Sequence, residues 1–317
     1  MKFFFVVRPL DAQNCGDPKM VKKAHLITHL GAAGMLALSL TACGPRVVQD
    51  ADPAALIGEA WTAYRLSEFQ NAALAFDAAR NAAIPGSDEW AMATYGLGTT
   101  WDLRRPGEDP RKATALYQEI LETAPQSPII PWTELALARQ KHLVPVGQEP
   151  DYDAVNKAYQ HIIDQFPGHL AAKEAFLYLQ SIQLAKLEPA STQAAVEKLL
   201  DFVAHEKKEF LSPAWSLLAV AYTTLGDQEK RLEAEINSFE TTEVDPSDPF
   251  IEFAWAYWNL ATIAEFEVGD FDLARHYYNL LLEKYPTDIR VYGCKQALRR
   301  MDALEASIRA EEEAPQP

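Results

Sequence analysis

Beyond Pro53, apolar residues recur with the 3.6-residue period of an amphipathic helix, and no stretch keeps the period of two expected of a strand. In one segment, Ala274, Tyr278, Leu281 and Leu282 lie at offsets of 0, 4, 7 and 8, and a proline follows at offset 12. These offsets place the four side chains on one face of a helix that ends before the proline. The segment is therefore predicted to be a helix with one buried face.

This pattern recurs along the chain at intervals of 37 to 42 residues, which indicates an internal repeat rather than one amphipathic helix. Some copies keep all the positions, and others keep only the first few. The other five copies are Ala72, Phe76, Ala79, Arg80 and Ile84; Ala113, Tyr117, Ile120, Leu121 and Pro125; Val155, Tyr159, Ile162, Ile163 and Pro167; Ala195, Leu199, Phe202, Val203 and Lys207; and Leu232, Ile236 and Phe239.

Each copy follows another amphipathic segment, so the repeating unit is predicted to be a pair of helices. The clearest first helix carries Trp215, Leu218, Ala219 and Tyr222 at i, i+3, i+4 and i+7, and the dipeptide Gly226-Asp227 closes it. In the last pair, Trp258 precedes a second Gly-Asp turn. The pattern predicts six antiparallel helix pairs, and a final helix over residues 289–310 caps them.

These residues resemble the tetratricopeptide repeat, with its early aromatic residue, small residue at the helix contact, Gly-Asp turn, and closing proline. The resemblance covers roughly residues 53–288. It implies an all-α fold, a right-handed α-solenoid whose first helices form a concave wall that binds other proteins. Family repeats have about 34 residues. The longer spacing here places extra residues in three loops rich in proline or glycine, namely Arg105–Pro110, Val144–Pro150 and Glu243–Pro249.

The amino terminus has the features of a secretory signal peptide. Lys22 and Lys23 precede an apolar stretch, Leu26–Leu40, that ends in Leu-Thr-Ala-Cys at Cys43. The stretch is shorter than the roughly 20 residues of a membrane span. The four residues resemble the lipobox of bacterial lipoproteins, which implies that Cys43 is lipidated. The alternative is an ordinary buried cysteine, since short motifs also occur by chance.

These features divide the chain into a signal peptide over residues 1–42, a tether over 43–52, the helical domain over 53–310, and a disordered tail over 311–317. Translation is expected to begin at Met20, because residues 1–19 add Asp11 and Asp17 ahead of the lysines. Gly44 after the cysteine, where some lipoproteins have aspartate, implies by resemblance an anchor in the outer membrane facing the periplasm.

Charge and cysteine content limit the classes of function. The chain has 29 basic and 45 acidic residues, a formal net charge of −16, and such a surface repels the phosphates of nucleic acids. Its three cysteines, at positions 15, 43 and 294, have no metal-ligand spacing. No cofactor is therefore predicted, and Cys294 is expected to be a structural thiol.

No catalytic motif stands out, so the chain is predicted not to be an enzyme. The histidines do not form a metalloprotease motif, and Gly96-Leu97-Gly98 lies in a helical pattern where it eases packing. Asp151-Tyr152-Asp153 lacks the remaining ligands of a calcium loop and is better explained as a helix cap.

The predicted function is that of a membrane-anchored scaffold that binds other envelope proteins or peptides. Its anchor, fold and the closing Phe-Pro and Tyr-Pro dipeptides resemble the lipoprotein subunit of the outer-membrane β-barrel assembly machine. The alternative is an envelope enzyme or glycan-binding protein in which the repeats support a cleft. Extending the repeat register places several side chains on the concave wall; the main candidates are Trp61, Tyr64, Tyr95, Asn259 and Ile263, with Ile57, Thr99, Ser216 and Val220 beside them. Trp61 and Tyr64 are the strongest candidates, because exposed aromatic residues dominate binding hot spots.

Overall fold

Aspartate side chains begin several helices by accepting a hydrogen bond from a backbone N–H of the first turn, which would otherwise lack a partner. Asp52, Asp109, Asp227 and Asp270 do so with N···O distances of 2.9–3.1 Å. Asp151 caps the helix that follows it in the same way, because its side chain accepts a hydrogen bond from the backbone amide of Ala154 at 3.1 Å. The capping role predicted for that residue is confirmed.

The computed structural model describes residues 52–102, 107–145, 147–206, 208–244 and 252–313. Within these ranges all regular structure is helical. The described residues divide into two compact units, one up to Val155 and one from Asn156. In chain order the helices are α1 (Pro53–Arg65), α2 (Phe69–Ala82), α3 (Asp88–Asp102), α4 (Pro110–Thr123), α5 (Ile130–His142), α6 (Tyr152–Gln165), α7 (Leu170–Ala185), α8 (Pro189–His205), α9 (Leu211–Leu225), α10 (Gln228–Glu240), α11 (Ala254–Ile263), α12 (Phe271–Lys284) and α13 (Val291–Glu312), and a π-helical turn (Ala264–Val268) extends α11.

The helices follow the predicted order of six pairs and a final helix. In the first unit α1 packs on α2, α2 on α3 and α3 on α4, and α1 also touches α3. In the second unit the same arrangement links α7, α8 and α9 and then continues through α10, α11, α12 and α13. Contact between successive first helices is what the stacking of helix pairs requires. The all-α, tetratricopeptide-like fold class is therefore confirmed.

The recurring offsets mark the buried face of each second helix. The residues at offset 0, 4 and 7 are almost fully buried in four copies, as in Ala72, Phe76 and Ala79 or Ala274, Tyr278 and Leu281. Residues at offset 8 are only partly buried, as Leu282 shows. The core is therefore narrower than the four-residue pattern predicted.

The ends of two first helices explain the Gly-Asp signature. Gly226 and Gly269 have φ angles of 75° and 80°, which glycine adopts without the steric penalty of a side chain. The following aspartate then caps the next helix. One dipeptide thus ends the first helix of a pair and begins the second.

The final helix, α13, ends at Glu312, two residues after the predicted boundary. Cys43, the signal peptide and most of the tether lie outside the described residues, as do residues 314–317 of the tail. None of the described helices combines the length and apolarity needed to span a bilayer.

Candidate interaction site

Trp61 lies in the core of the first unit. Only 6% of its surface is exposed, and its ring meets Phe76 of α2 edge-on, with 4.9 Å between centroids. Tyr64 is half-buried and meets Trp61 at 5.6 Å. The expectation that Trp61 projects an exposed ring was wrong, because Phe76 from the partner helix of the same pair covers it. Binding of a partner through Tyr64 stays a prediction.

Tyr95 and Thr99 are also buried, as is every residue of α3 from Trp90 to Thr100 except Met92. The ring of Tyr95 lies 5.8 Å from that of Tyr117 on α4. The hydroxyl of Thr99 donates to the carbonyl of Tyr95 at 3.0 Å. The predicted concave wall therefore has almost no accessible surface on this helix.

Two glycines explain the close packing around α3. A Cβ on Gly96 would lie 2.2 Å from the ring of Phe76, and one on Gly98 would lie 2.5 Å from the ring of Tyr117. Real Cβ atoms essentially never approach another atom that closely. At each of these two positions, therefore, the side chain of any residue other than glycine would overlap the aromatic ring. The packing role predicted for this Gly-Leu-Gly segment is confirmed.

In the last pair, Ile263 is buried and Asn259 is half-buried. The π turn Ala264–Val268 lies between Ile263 and the Gly-Asp turn at Gly269. A π turn holds about one more residue than an α-helical turn, so residues before it are rotated relative to a regular helix. The expectation that Ile263 faces outward was therefore wrong. Asn259 keeps some accessible surface.

Large exposed aromatic residues occur instead at the start of α11 and α13. Trp255, the second residue of α11, is 57% exposed, and Tyr292, the second residue of α13, is 73% exposed. In both helices the fourth and seventh residues are buried, and so is the eleventh position, which after α11 is the first residue of the π turn. These sets are Tyr257, Leu260 and Ala264, and Cys294, Ala297 and Met301. The two helices thus present the same face to solvent, and α13 has the pattern of a further first helix.

We call this face the carboxyl-terminal wall, and it consists of positions i, i+3 and i+7 on both helices. On α11 the wall holds Trp255, Trp258 and Thr262; on α13 it holds Tyr292, Lys295 and Arg299. A Cβ on Gly293 would lie 2.8 Å from the ring of Trp258, so the two helices are in close contact there. The i, i+3, i+7 spacing of the wall residues is present in the sequence. The prediction for the final helix used only its apolar residues.

A buried glutamate holds the π turn against the neighbouring helices. Glu265 accepts hydrogen bonds from the hydroxyl of Tyr278 at 2.8 Å and from Nε of Arg300 at 2.9 Å. Burial, followed by the hydrogen bond to Glu265, raises the pKa of Tyr278 well above its usual value. The guanidinium of Arg300 also lies 4.9 Å from the ring centroid of Phe266, within the range of a cation–π contact.

Cys294 lies on the buried face of α13, and burial raises the pKa of its thiol to about 11. Because the thiolate is the reactive form, a thiol with this pKa is almost entirely protonated at neutral pH. The side chain packs in the core with Ala261 and Tyr278.

Asp102 lies at the end of α3, and burial raises the pKa of its carboxyl group. It accepts a hydrogen bond from the amide of Gln140 at 2.9 Å, and Gln140 in turn accepts one from Thr114 at 2.7 Å. Two surface depressions of about 440 and 380 Å³ are found elsewhere, one around Gly58 and Thr62 and one around Phe176 and Phe202. Asp102 lines neither of them, and its network joins α3, α4 and α5.

Within the described residues no cluster of three or more His, Cys, Asp or Glu side chains could hold a metal ion.

No protein-family model matches the chain, and neither does any curated protein. Several solved structures are similar. The assembly chaperone of RpL4 (Acl4, residues 1–338) matches 82% of this chain and 100% of its own, with 16% identity and a TM-score of 0.46. The PilF protein of Pseudomonas aeruginosa matches 80% of this chain and 98% of its own, with 15% identity and a TM-score of 0.47.

The Cut9–Hcn1 heterotetramer of the APC/C is also similar, over 78% of this chain, with 14% identity and a TM-score of 0.49. This chain spans only 42% of the length of that chain. All three likenesses have TM-scores below 0.5, so none of them supports an argument about partners or function. The interaction site rests on this chain's own surface.

Proposed function

We propose that this protein is an adaptor of the bacterial cell envelope that binds another protein through the carboxyl-terminal wall. The observation that carries the proposal is the exposure of Trp255 and Tyr292 at equivalent positions of adjacent helices. Tryptophan and tyrosine are enriched in binding hot spots, where they supply a large contact area. A folded core does not require either ring in solvent, so a protein partner gives the exposed rings a role.

The proposal includes a lipid anchor at Cys43, supported by the Leu-Thr-Ala-Cys sequence behind an apolar stretch and two lysines. Stable anchoring takes more than one acyl chain, and lipoproteins of this kind carry two or three. Gly44 after the cysteine favours the outer membrane, with the protein facing the periplasm. In that place, components of the β-barrel assembly machine are candidate partners, on the strength of the resemblance in anchor and repeat type.

Crosslinking from inside the native membrane tests partner binding. A photoreactive residue in place of Tyr292 should yield discrete adducts with one or a few envelope proteins after illumination. The matched control replaces Leu74, which is 60% exposed on α2 in the first unit. If position 74 gives the same adducts, or position 292 gives none, the wall is not the binding surface.

The anchor is tested by metabolic labelling with a radioactive fatty acid. Wild-type protein should incorporate the label, and the Cys43→Ala variant should accumulate as an uncleaved, unlabelled precursor. Equal labelling of the variant would rule out lipidation at Cys43. Cys294→Ala serves as the control, because that buried thiol should not take part in acylation.

A further inference from the structure

We infer that the partner segment bound by the carboxyl-terminal wall is acidic and also carries apolar side chains. This inference rests on the proposed function and adds the chemistry of the bound segment. It follows from two cations on the wall, Lys295 and Arg299, which stand out on a chain with a net charge of −16.

The other basic residues around the wall have partners. Arg290 pairs with Asp288 at 2.9 Å, and Arg275 pairs with both Asp302 and Glu305 at 3.0 and 2.8 Å. The carboxylate of Glu265 neutralises Arg300. Lys295 and Arg299, by contrast, are exposed and take part in no ion pair within the described residues.

The stability of α13 does not explain the placement of these two cations. Like charges four residues apart on a helix repel each other. Lys295 is the fifth residue of α13 and Arg299 the ninth. A bound carboxylate would relieve this repulsion. Since unlike charges attract and like charges are excluded, the two residues select an acidic partner.

The aromatic residues give the apolar part of the specificity. Tyr292 precedes Lys295 by one turn, and Trp255 and Trp258 lie on the adjacent helix, which contacts α13 at Gly293. A segment that crosses the wall therefore meets aromatic rings and positive charges within a few residues. Carboxylates alone would leave the rings uncovered, so the segment needs apolar side chains as well.

A peptide segment fits the wall better than an anionic membrane surface does. A membrane would face a large area of the protein, including the exposed Glu252 near Trp255, and the overall negative charge would oppose its approach. A peptide contacts only the local surface, where Lys295 and Arg299 face solvent. Anionic lipid and anionic glycan are therefore the competing ligands that the experiment includes.

The experiment uses the full, lipidated chain purified in a mild neutral detergent, and measures binding by fluorescence anisotropy. The probe is a labelled decapeptide of six Glu, two Phe and two Leu residues, and its comparator has Gln in place of each Glu. The acidic probe should bind at least about tenfold more tightly at low salt, since steering by charge is screened as ionic strength rises. At high salt the preference should fall to about twofold or less.

Matched variants locate the effect on the wall. Lys295→Gln combined with Arg299→Gln should weaken binding of the acidic probe about tenfold and leave the comparator unchanged. The control, Lys157→Gln combined with Lys198→Gln, removes the same charge from exposed positions of α6 and α8 and should retain the wild-type affinity. Trp255→Ala should weaken binding of both probes by a similar factor, because its contribution is apolar.

Three results would overturn the inference. They are equal binding of the two probes, equal loss in the control variant, and charge-dependent binding through Lys295 and Arg299 to phosphatidylglycerol vesicles or heparin but not to the acidic peptide. If Tyr292 still gives protein adducts in the membrane, the proposed function survives such a result. Loss of those adducts would remove the proposed function itself.

Discussion

Helices α3 and α11 occupy the same place in the repeat, yet they differ in how much of their surface meets solvent. From Trp90 to Thr100, α3 is buried on every side except at Met92. On the less buried side of α11, Trp255 is exposed, and Trp258 and Thr262 are half-buried. The repeat pattern predicts a buried face for both helices, but it does not determine what covers the opposite face.

The residue types on the two helices suit these different surroundings. On α3, glycines accept the rings of Phe76 and Tyr117, and the hydroxyls of Thr94 and Thr100 donate to helix carbonyls at 2.7 Å. Hydroxyls that bond within their own helix can be buried without a lost hydrogen bond. On α11 and α13, large amphipathic and charged side chains face outward. A buried packing surface and a solvent-exposed surface thus arise from one repeat.

The sharpest test of the contrast compares two tryptophans. Trp61→Ala should lower the free energy of unfolding by about 3–5 kcal/mol, because the change removes a buried ring that packs on Phe76. Denaturant titration followed by circular dichroism measures the loss. As a control, Trp61→Phe should cost much less, since the indole N–H has no hydrogen-bond partner within the described structure. A change below about 1 kcal/mol for Trp61→Ala would return this residue to the surface candidates.

Glycine substitutions test the packing of α3. Gly96→Ala should destabilise the protein by about 1–3 kcal/mol, because its Cβ would overlap the ring of Phe76 and force a shift in the core. A methyl group at Gly58 in α1 would meet no atom within 4 Å, so Gly58→Ala should stabilise the helix by about 0.5–1 kcal/mol. Thermal unfolding of both variants gives the comparison. If Gly96→Ala stabilised the protein as Gly58→Ala does, α3 would be less tightly packed than described.

The smallest effect on stability is expected at the wall. Trp255→Ala should change the free energy of unfolding by no more than about 0.5 kcal/mol, as is usual for exposed positions. The same variant should lose partner adducts in the membrane and bind peptide more weakly. A loss of several kcal/mol would place Trp255 in the core and remove the main support for the wall as a binding surface.

The sequence predicted the number and order of the helix pairs because the periodic burial of residues such as Ala72, Phe76 and Ala79 is a local property of each helix. It could not predict the carboxyl-terminal wall equally well. Whether Trp61 is exposed depends on Phe76, which lies 15 positions later and belongs to another helix. The sequence could therefore identify aromatic residues on first helices as candidates, but it could not predict which of them are exposed.

The register of α11 was a second source of error. The position of Ile263 was extrapolated from a regular helix, whereas the π turn that follows it changes the rotation of the preceding residues. A π turn has no simple sequence signature. The buried Glu265, which holds it through Tyr278 and Arg300, could be recognised as structurally important only once the three side chains were seen together.

The π turn also affects how this protein can change during evolution. The turn holds one more residue than an α-helical turn, so loss of one residue between Ala264 and Val268 would let the segment wind as a regular α-helix while the side chains before it keep roughly their direction. Loss of one residue from the regular part of α11 would instead turn the side chains before the deletion by roughly 100° about the axis. The π turn is thus the place where this helix can lose a residue without redirecting Trp255 and Trp258.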